Sequence, residues 1–464
     1  MNRLPGELRT DQQPPMAIPL RHFVVALGFL FATVVGGFAL ALPGGSGLSA
    51  VAHVHVALLG WIGITIMGAM TQFVPVWSGV AIHSRRLAVV QLWLVTVGAI
   101  GFVVALLAGE VTWLPYVAAP ILLGLWTFVY TVGRTLLRAR PLDFTERHFA
   151  LALACFAVLA PLGYLLAVDF SRPIFDATPL ARGDALVVHA TLALYGAVLV
   201  TIVGALRQLT AMFAQSEPDA LDDALFRLET VAVPLGLVAF AAGRGLGLES
   251  VARAGGLAFL LGLAAFTVVV ARLLGRATAD RSPMTDRYWV VVASLSAWIA
   301  LAVPAWWLDP LGHGGLFGHP DAAILLVVGV FAFVVVGSLY HVVPFIVWLE
   351  RYSDRIGFEP VPTVDDLYDG RLERADFGLT VVGFAGLAAE PFVAAPGVVT
   401  AGFAAILGIG FCLFVLNVLR SIHRHAPGGV AGVLAGSSPT DGEGNEAGSS
   451  ADVRAAETTG DPNR

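Results

Sequence analysis

Long apolar runs separated by short polar segments fill the chain from residue 18 to residue 420. A helix that crosses the hydrocarbon core of a bilayer needs about 20 mainly apolar residues. The runs that meet this length are 18–42, 49–78, 86–109, 112–136, 147–168, 184–213, 228–246, 252–275, 287–309, 320–348, 376–394 and 396–420. The pattern therefore predicts an all-α integral membrane protein with about twelve transmembrane helices.

The composition agrees with a chain that lies mostly in lipid. Of its 464 residues 57% are hydrophobic and 13% are charged, whereas about a quarter of the residues of soluble domains are charged. The net charge of -6 is modest and does not indicate a nucleic-acid partner. We expect a cytoplasmic N-terminal segment over 1–17, a transmembrane domain over 18–420 and a disordered acidic tail over 421–464. Cys155 and Cys412 both lie in apolar runs, so no disulfide is predicted.

The distribution of arginine predicts the orientation of the helices. All 27 basic residues are arginines, and basic residues near helix ends favour the cytoplasmic side of the membrane. With the N-terminus inside, 21 arginines fall in cytoplasmic segments and 4 in external loops, leaving two in the tail. The four external arginines are Arg172, Arg182, Arg244 and Arg253. We therefore expect a multi-pass protein of the cell membrane with both termini in the cytoplasm.

Three of the predicted helices carry the same spacing of small residues. Offsets of 7 and 15 residues recur in His53–Gly60–Gly68, His189–Gly196–Gly204 and Ala322–Gly329–Gly337. The first residues of these sets are 136 and 133 residues apart, because 189-53=136 and 322-189=133. Both offsets return close to the same helix face. Glycines also serve simply for close helix packing in lipid, but three matches at near-equal separation predict three repeats of four helices.

Histidines near the external ends of these helices are the candidate ligands. A histidine inside a membrane span is a functional candidate by default, and neutral imidazole binds metals and haem iron. We select His53, His55, His189 and His319 as metal ligands, and His53, His189 and His319 as cofactor ligands. His53 shares a face with Gly60, whereas His55 points about 200° away, so His53 is expected to matter more than His55. A hydrogen-bonded structural role is the alternative for each. His22, His83, His148, His423 and His425 accompany arginines, and a structural role is expected for them.

Twelve helices in three arcs of four, with histidines on the second and sixth helices and near the start of the tenth, resemble subunit I of the haem-copper oxidases. The segments Phe73–Pro75 and His341–Pro344 are similar to the ends of the second and tenth helices of that family. The resemblance covers roughly residues 18–420. It implies a haem b site near the external face, copper as a further candidate metal, and an electron-carrier protein or partner subunit.

The chain also departs from the pattern of that family. Ala322 and Ile324 stand where the tenth helix of an oxidase carries two haem-binding histidines, and the run 228–246 has no histidine for copper. The family's tyrosine four residues after the sixth-helix histidine is replaced by Ala193. We also expect no Asp or Glu deep within any span. These departures resemble the twelve-helix haem proteins of the nitric-oxide-response type rather than a complete oxygen reductase.

The leading hypothesis is thus an oxidase-subunit-I-like membrane protein that binds haem b, with copper as an additional candidate, for redox or gas-ligand chemistry. The alternative is a cofactor-free transporter or assembly factor on the same scaffold. A working oxidase with substitute ligands is the third reading.

Overall fold

The computed structural model describes residues 12–40, 47–393 and 396–436, and the regular structure within these ranges is entirely helical. The long helices are α1 (Ala17–Leu40), α2 (Gly47–Ser78), α3 (Arg85–Ala108), α4 (Val111–Leu136), α5 (Phe144–Asp169), α6 (Arg182–Ala214), α7 (Ala220–Leu246), α8 (Glu249–Gly275), α9 (Pro283–Leu308), α10 (Leu325–Arg351), α11 (Gly370–Ala389) and α12 (Gly397–His425). A short helix, α13 (Gly429–Ala435), follows.

Eleven of the helices in the described ranges are long and apolar enough to cross a membrane. The sequence predicted twelve spans, and the difference is α11. This helix forms, but Arg371, Glu373, Arg374 and Asp376 fall within its first seven residues. The chain is therefore a multi-pass helical protein whose apolar helices indicate a bilayer environment.

Consecutive helices pair as antiparallel hairpins. In the α7–α8 pair a Cβ on Gly236 would lie 2.4 Å from the backbone nitrogen of Phe259, and a Cβ on Gly243 would lie 2.4 Å from that of Ala252. Glycine lets two backbones approach this closely because it has no side chain. The same kind of contact joins α11 to α12, where a Cβ on Gly383 would lie 2.5 Å from the backbone nitrogen of Leu407. Small residues therefore fix the tight hairpins.

The helices α2, α6 and α10 are among the most enclosed. In the most apolar 18 residues of each helix, the buried share is 61% for α2, 67% for α6 and 78% for α10. Among the other eight apolar helices only α8 reaches 61%. Each contains a π-helical segment, Val56–Gly63 in α2, Leu192–Leu199 in α6 and Leu325–Ala332 in α10. The segments begin 136 and 133 residues apart, because 192-56=136 and 325-192=133. These are also the separations of the His53, His189 and Ala322 positions.

The bundle has two distinct ends. The end at which α2 and α6 begin carries His53, His55 and His189 and is called the histidine end. The opposite end, where α1, α3, α5, α7, α9 and α11 begin, is called the arginine end, after arginines such as Arg85 and Arg147. Helix α12 continues to His425, beyond its predicted end at residue 420, before α13 follows. Four parts of the predicted elements lie outside the described residues. They are most of the segment 1–17, residues 41–42 of the first span, residue 394 of the eleventh span and residues 437–464 of the tail.

Candidate functional site

The stripe that carries His53 faces α1. A Cβ on Gly36 of α1 would lie 3.1 Å from His53 Nδ1, so the imidazole packs against that glycine. Gly60 and Gly68, the other two members of the stripe, also lie against α1 side chains. The three residues thus share one face, as the spacing predicted, and α1 occupies that face. The Nδ1 atom of His53 is buried without a hydrogen-bond partner among the described residues.

The next two candidate histidines are His55 of α2 and His189 of α6. The two rings are close enough to interact electrostatically. His55 also packs against Phe102 of α3, with ring centroids 4.9 Å apart. His189 lies against Gly163 of α5, where a Cβ would come within 2.7 Å of the ring carbon Cε1. The histidine pair between the first and second predicted repeats is therefore His55 with His189, and the helix that borders His53 is α1.

Both rings of this pair are anchored through Nδ1. His55 Nδ1 lies 2.8 Å from the carbonyl oxygen of Val51, and His189 Nδ1 lies 3.1 Å from that of Leu159. A carbonyl oxygen can only accept a hydrogen bond, so each Nδ1 carries the proton and donates it. The Nε2 lone pair of each neutral ring is then available for another partner. Metal-binding histidines commonly have this arrangement, with the second nitrogen fixed by a carbonyl or carboxylate.

The pair supplies two imidazole donors on different helices. No third His, Cys, Asp or Glu joins the pair in a metal-ligand group within the part of the chain that the structure describes. Haem iron needs only axial ligands from the protein, because the porphyrin supplies the other four. Two neutral imidazoles on different helices fit that requirement.

His319 and His313 lie in the loop that precedes α10. His319 Nδ1 accepts a hydrogen bond from the backbone N–H of Asp321 at 3.1 Å, so this ring caps a short turn. His313 is exposed and lies beside Gly183, at the start of α6. His319 therefore uses the Nδ1 lone pair as an acceptor, whereas Nδ1 of His55 and of His189 donates.

A buried arginine holds the same loop in place, and the sequence placed it in an external loop. Arg244 is only 2% exposed in the last turn of α7. Its Nε donates to the carbonyl oxygen of Pro310 at 2.9 Å, and an Nη donates to Thr191 Oγ1 at 2.9 Å. The guanidinium carbon lies 3.9 Å from the centre of the Phe240 ring. In the sequence this role is indicated only by an arginine at a helix end with an aromatic residue, Phe240, one turn earlier. That pattern does not predict which residues the arginine binds.

A carboxyl group lies deep in α7, contrary to the prediction that no Asp or Glu would do so. Glu229 is fully buried, and its Oε1 lies 2.7 Å from His148 Nε2 on α5. The prediction was wrong because α7 begins at Ala220, eight residues before the predicted span, which moves Glu229 from the edge to the tenth position. His148 Nδ1 contacts the carbonyl oxygen of Phe144 at 2.8 Å.

A second buried carboxyl group lies in α11. Arg287 of α9 has no exposed side-chain surface and pairs with Asp376 at 2.5 Å and with Glu373 at 2.6 Å. Tyr340 of α10 donates a hydrogen bond to the second oxygen of Asp376. This network pairs the buried guanidinium with two carboxyl groups, which is what lets such charges be tolerated inside a protein. Arg287 Nε is left without a hydrogen-bond partner among the described residues.

Three buried polar residues lie beneath equivalent glycines at the arginine end. A Cβ on Gly68 would lie 2.6 Å from His22 Cβ, and a Cβ on Gly204 would lie 2.7 Å from His148 Cβ. Arg287 takes the corresponding place beside Gly337 of α10. The signal in the sequence was the repeated triplet Arg-His-Phe at 21–23 and 147–149, followed by Asp-Arg-Tyr at 286–288.

Comparison with known proteins adds no family assignment: no protein-family model matches the chain, and no curated protein matches its sequence.

Proposed function

We propose that this chain is a membrane redox protein on an oxidase-subunit-I-like scaffold and that it binds haem b through His55 and His189. The observation that carries the proposal is the pair of imidazoles on α2 and α6, each with Nδ1 held by a main-chain carbonyl and Nε2 free. The haem would supply one-electron redox chemistry or a binding position for a small gas. The protein would hold the rings in one tautomer and enclose the group between helices.

The proposed pair differs from the one that the helical spacing favoured. His53 packs on Gly36 and its face is covered by α1, whereas His55 lies within electrostatic range of His189. His319 caps its own turn through Nδ1. The order of importance proposed here is therefore His55 and His189 before His53 and His319. Copper is the second candidate ligand, because two imidazoles also bind Cu(I).

The scaffold proposed for this site is twelve helices in three repeats of four. Three features support it: the π segments begin at the same separations as the His53, His189 and Ala322 positions, the glycines below them contact the first helix of each predicted repeat, and His22, His148 and Arg287 occupy matching places. Helix α11 is the proposed twelfth span, because it runs antiparallel along α12. Its two buried carboxyl groups, Glu373 and Asp376, pair with Arg287 within the bundle rather than lying in lipid.

In the proposed orientation the arginine end faces the cytoplasm, as the positive-inside tendency favours. The haem would then lie near the external face, and an electron-carrier protein or partner subunit would supply electrons from that side.

A proton-linked transporter on the same scaffold is the second candidate. The hydrogen-bonded pair of His148 and Glu229 favours it, because buried His and carboxyl groups inside a bundle are the usual elements of proton relays. A visible spectrum of the purified protein separates the candidates. Sharp bands of a reduced haem support the first, while a flat spectrum with no bound copper by elemental analysis supports the second.

A further inference from the structure

A cavity at the arginine end combines positive charge with an apolar wall. Its volume is about 590 Å³, and it lies where α1 and α3 begin, beside the last residues of α10 and of α13. Arg21, Arg85 and Arg86 line it together with one acidic residue, Glu350. The lining charge is therefore +2, because three arginines face one glutamate.

The three arginines are available to an anion in different degrees. Arg21 Nε donates to the carbonyl oxygen of Val433 at 2.8 Å, which fixes the side chain. The two terminal nitrogens of Arg21 can still donate to an anion. Arg85 and Arg86 are exposed and make no ion pair with any residue in 12–40, 47–393 or 396–436. They also occupy the first turn of α3, where the partial positive charge of the helix end favours an anion. Arginine binds phosphate oxygens well because its planar group donates several parallel hydrogen bonds.

The apolar part of the cavity continues along the outside of α3. Ile18, Val89 and Val90 line the cavity. Above Val90 a stripe of exposed apolar side chains follows one face of the helix, at Trp93, Val97, Ile100 and Val104. The spacing of three and four residues keeps these side chains on one face. From a phosphate group bound in the cavity, a continuous apolar surface would thus extend along α3 over about the thickness of one bilayer leaflet.

We infer that this cavity binds the headgroup phosphate of an anionic phospholipid, with the acyl chains lying along the exposed face of α3. Charge complementarity selects the anionic headgroup, and the apolar stripe selects a lipid over free phosphate. Basic pockets between helices at a membrane surface are known to bind such headgroups. The site is separate from the histidine pair, which lies at the opposite end of the bundle.

The test is a titration of the full-length, detergent-solubilised protein with fluorescent phosphatidylglycerol, with phosphatidylcholine and inorganic phosphate as competitors. The variant Arg85→Gln/Arg86→Gln is compared with Arg134→Gln/Arg140→Gln, which removes two exposed arginines of the same end that do not line the cavity. Each arginine near an anionic headgroup contributes about 1 kcal/mol, so losing two should weaken binding about thirtyfold.

The expected result is saturable binding of phosphatidylglycerol that unlabelled phosphatidylglycerol displaces and phosphatidylcholine does not. The cavity variant should lose it and the control variant should keep it. Equal competition by phosphatidylcholine would overturn the inference, and so would unchanged affinity in the cavity variant. Full displacement by millimolar inorganic phosphate would mean that the site holds an ion only, with no lipid. A thermal unfolding scan of both variants shows whether any loss reflects misfolding, and Arg86→Gln alone serves as the milder variant if the double variant unfolds.

Discussion

Glu229 Oε1 lies 2.7 Å from His148 Nε2, joining α7 to α5 through two side chains that are shielded from solvent. The contact sits next to Gly204, whose missing side chain makes room for the Cβ of His148. In a bilayer no water replaces a lost partner at such a place. The relative position of α5 and α7 therefore depends on this one hydrogen bond.

Removing His148 should destabilise the protein more than neutralising Glu229. The variant His148→Ala leaves a buried carboxyl group without its partner and should lower the free energy of unfolding by about 3 kcal/mol. Glu229→Gln retains a side chain that can hydrogen-bond to the ring and should cost about 1 kcal/mol. Titration of the purified protein with SDS measures both. His83→Ala is the control, because the His83 ring contacts two exposed side chains, Arg138 through its ring nitrogen and Tyr130 edge to face. Equal stability of wild type and His148→Ala would refute this role.

Adding a methyl group at Gly236 should loosen the α7–α8 hairpin. The new Cβ would lie 2.4 Å from the backbone nitrogen of Phe259, and backbone cannot rotate away as a side chain can. We expect Gly236→Ala to lower the free energy of unfolding by about 1–3 kcal/mol. Gly133→Ala, in α4, is the matched control because nothing lies within 4 Å of its added Cβ. It should stabilise the helix slightly, and a loss as large as that of Gly236→Ala would contradict the packing account.

Reporter fusions test whether α11 crosses the membrane. A cytoplasm-specific reporter fused after Arg464 should be active if α11 and α12 both span. The same reporter inserted after Glu390, between these helices, should be inactive. An active insertion together with an inactive terminal fusion would place α11 on the cytoplasmic surface and leave eleven spans.

The apolar runs predicted most helices, but not where charged residues extend them. The predicted start of α7 at residue 228 excluded Asp222, because a charged residue suggests a loop. In the structure Asp222 pairs with Arg272 of α8 and with Arg276, the residue that follows α8, so tertiary contacts neutralise it inside a helix. Such pairing depends on which helices become neighbours, and the order of residues along one helix does not contain that information.

The sequence predicted which histidines of the candidate site share a helix face, but not which residues lie opposite them. Helical spacing separates His53 from His55 by direction, and the structure keeps them on different sides of α2. It does not tell which neighbour lies on each side. The neighbour of His53 is Gly36 of α1, while His55 packs on Phe102 of α3 and lies within electrostatic range of His189. The partner His189 was identified by its repeat position, and its anchoring by Leu159 became visible only in the folded chain.

The most direct test of the proposed function is the reduced-minus-oxidised visible spectrum of the protein, purified from cells supplied with haem precursor. We predict a sharp α band of haem b in the wild type, its loss in His55→Ala and in His189→Ala, and its retention in His53→Ala. Thermal unfolding of the three variants checks that each is folded, and His319→Ala should keep most of the haem. A flat wild-type spectrum would contradict haem binding, and a His53→Ala variant that loses the band while His55→Ala keeps it would contradict the assigned ligands.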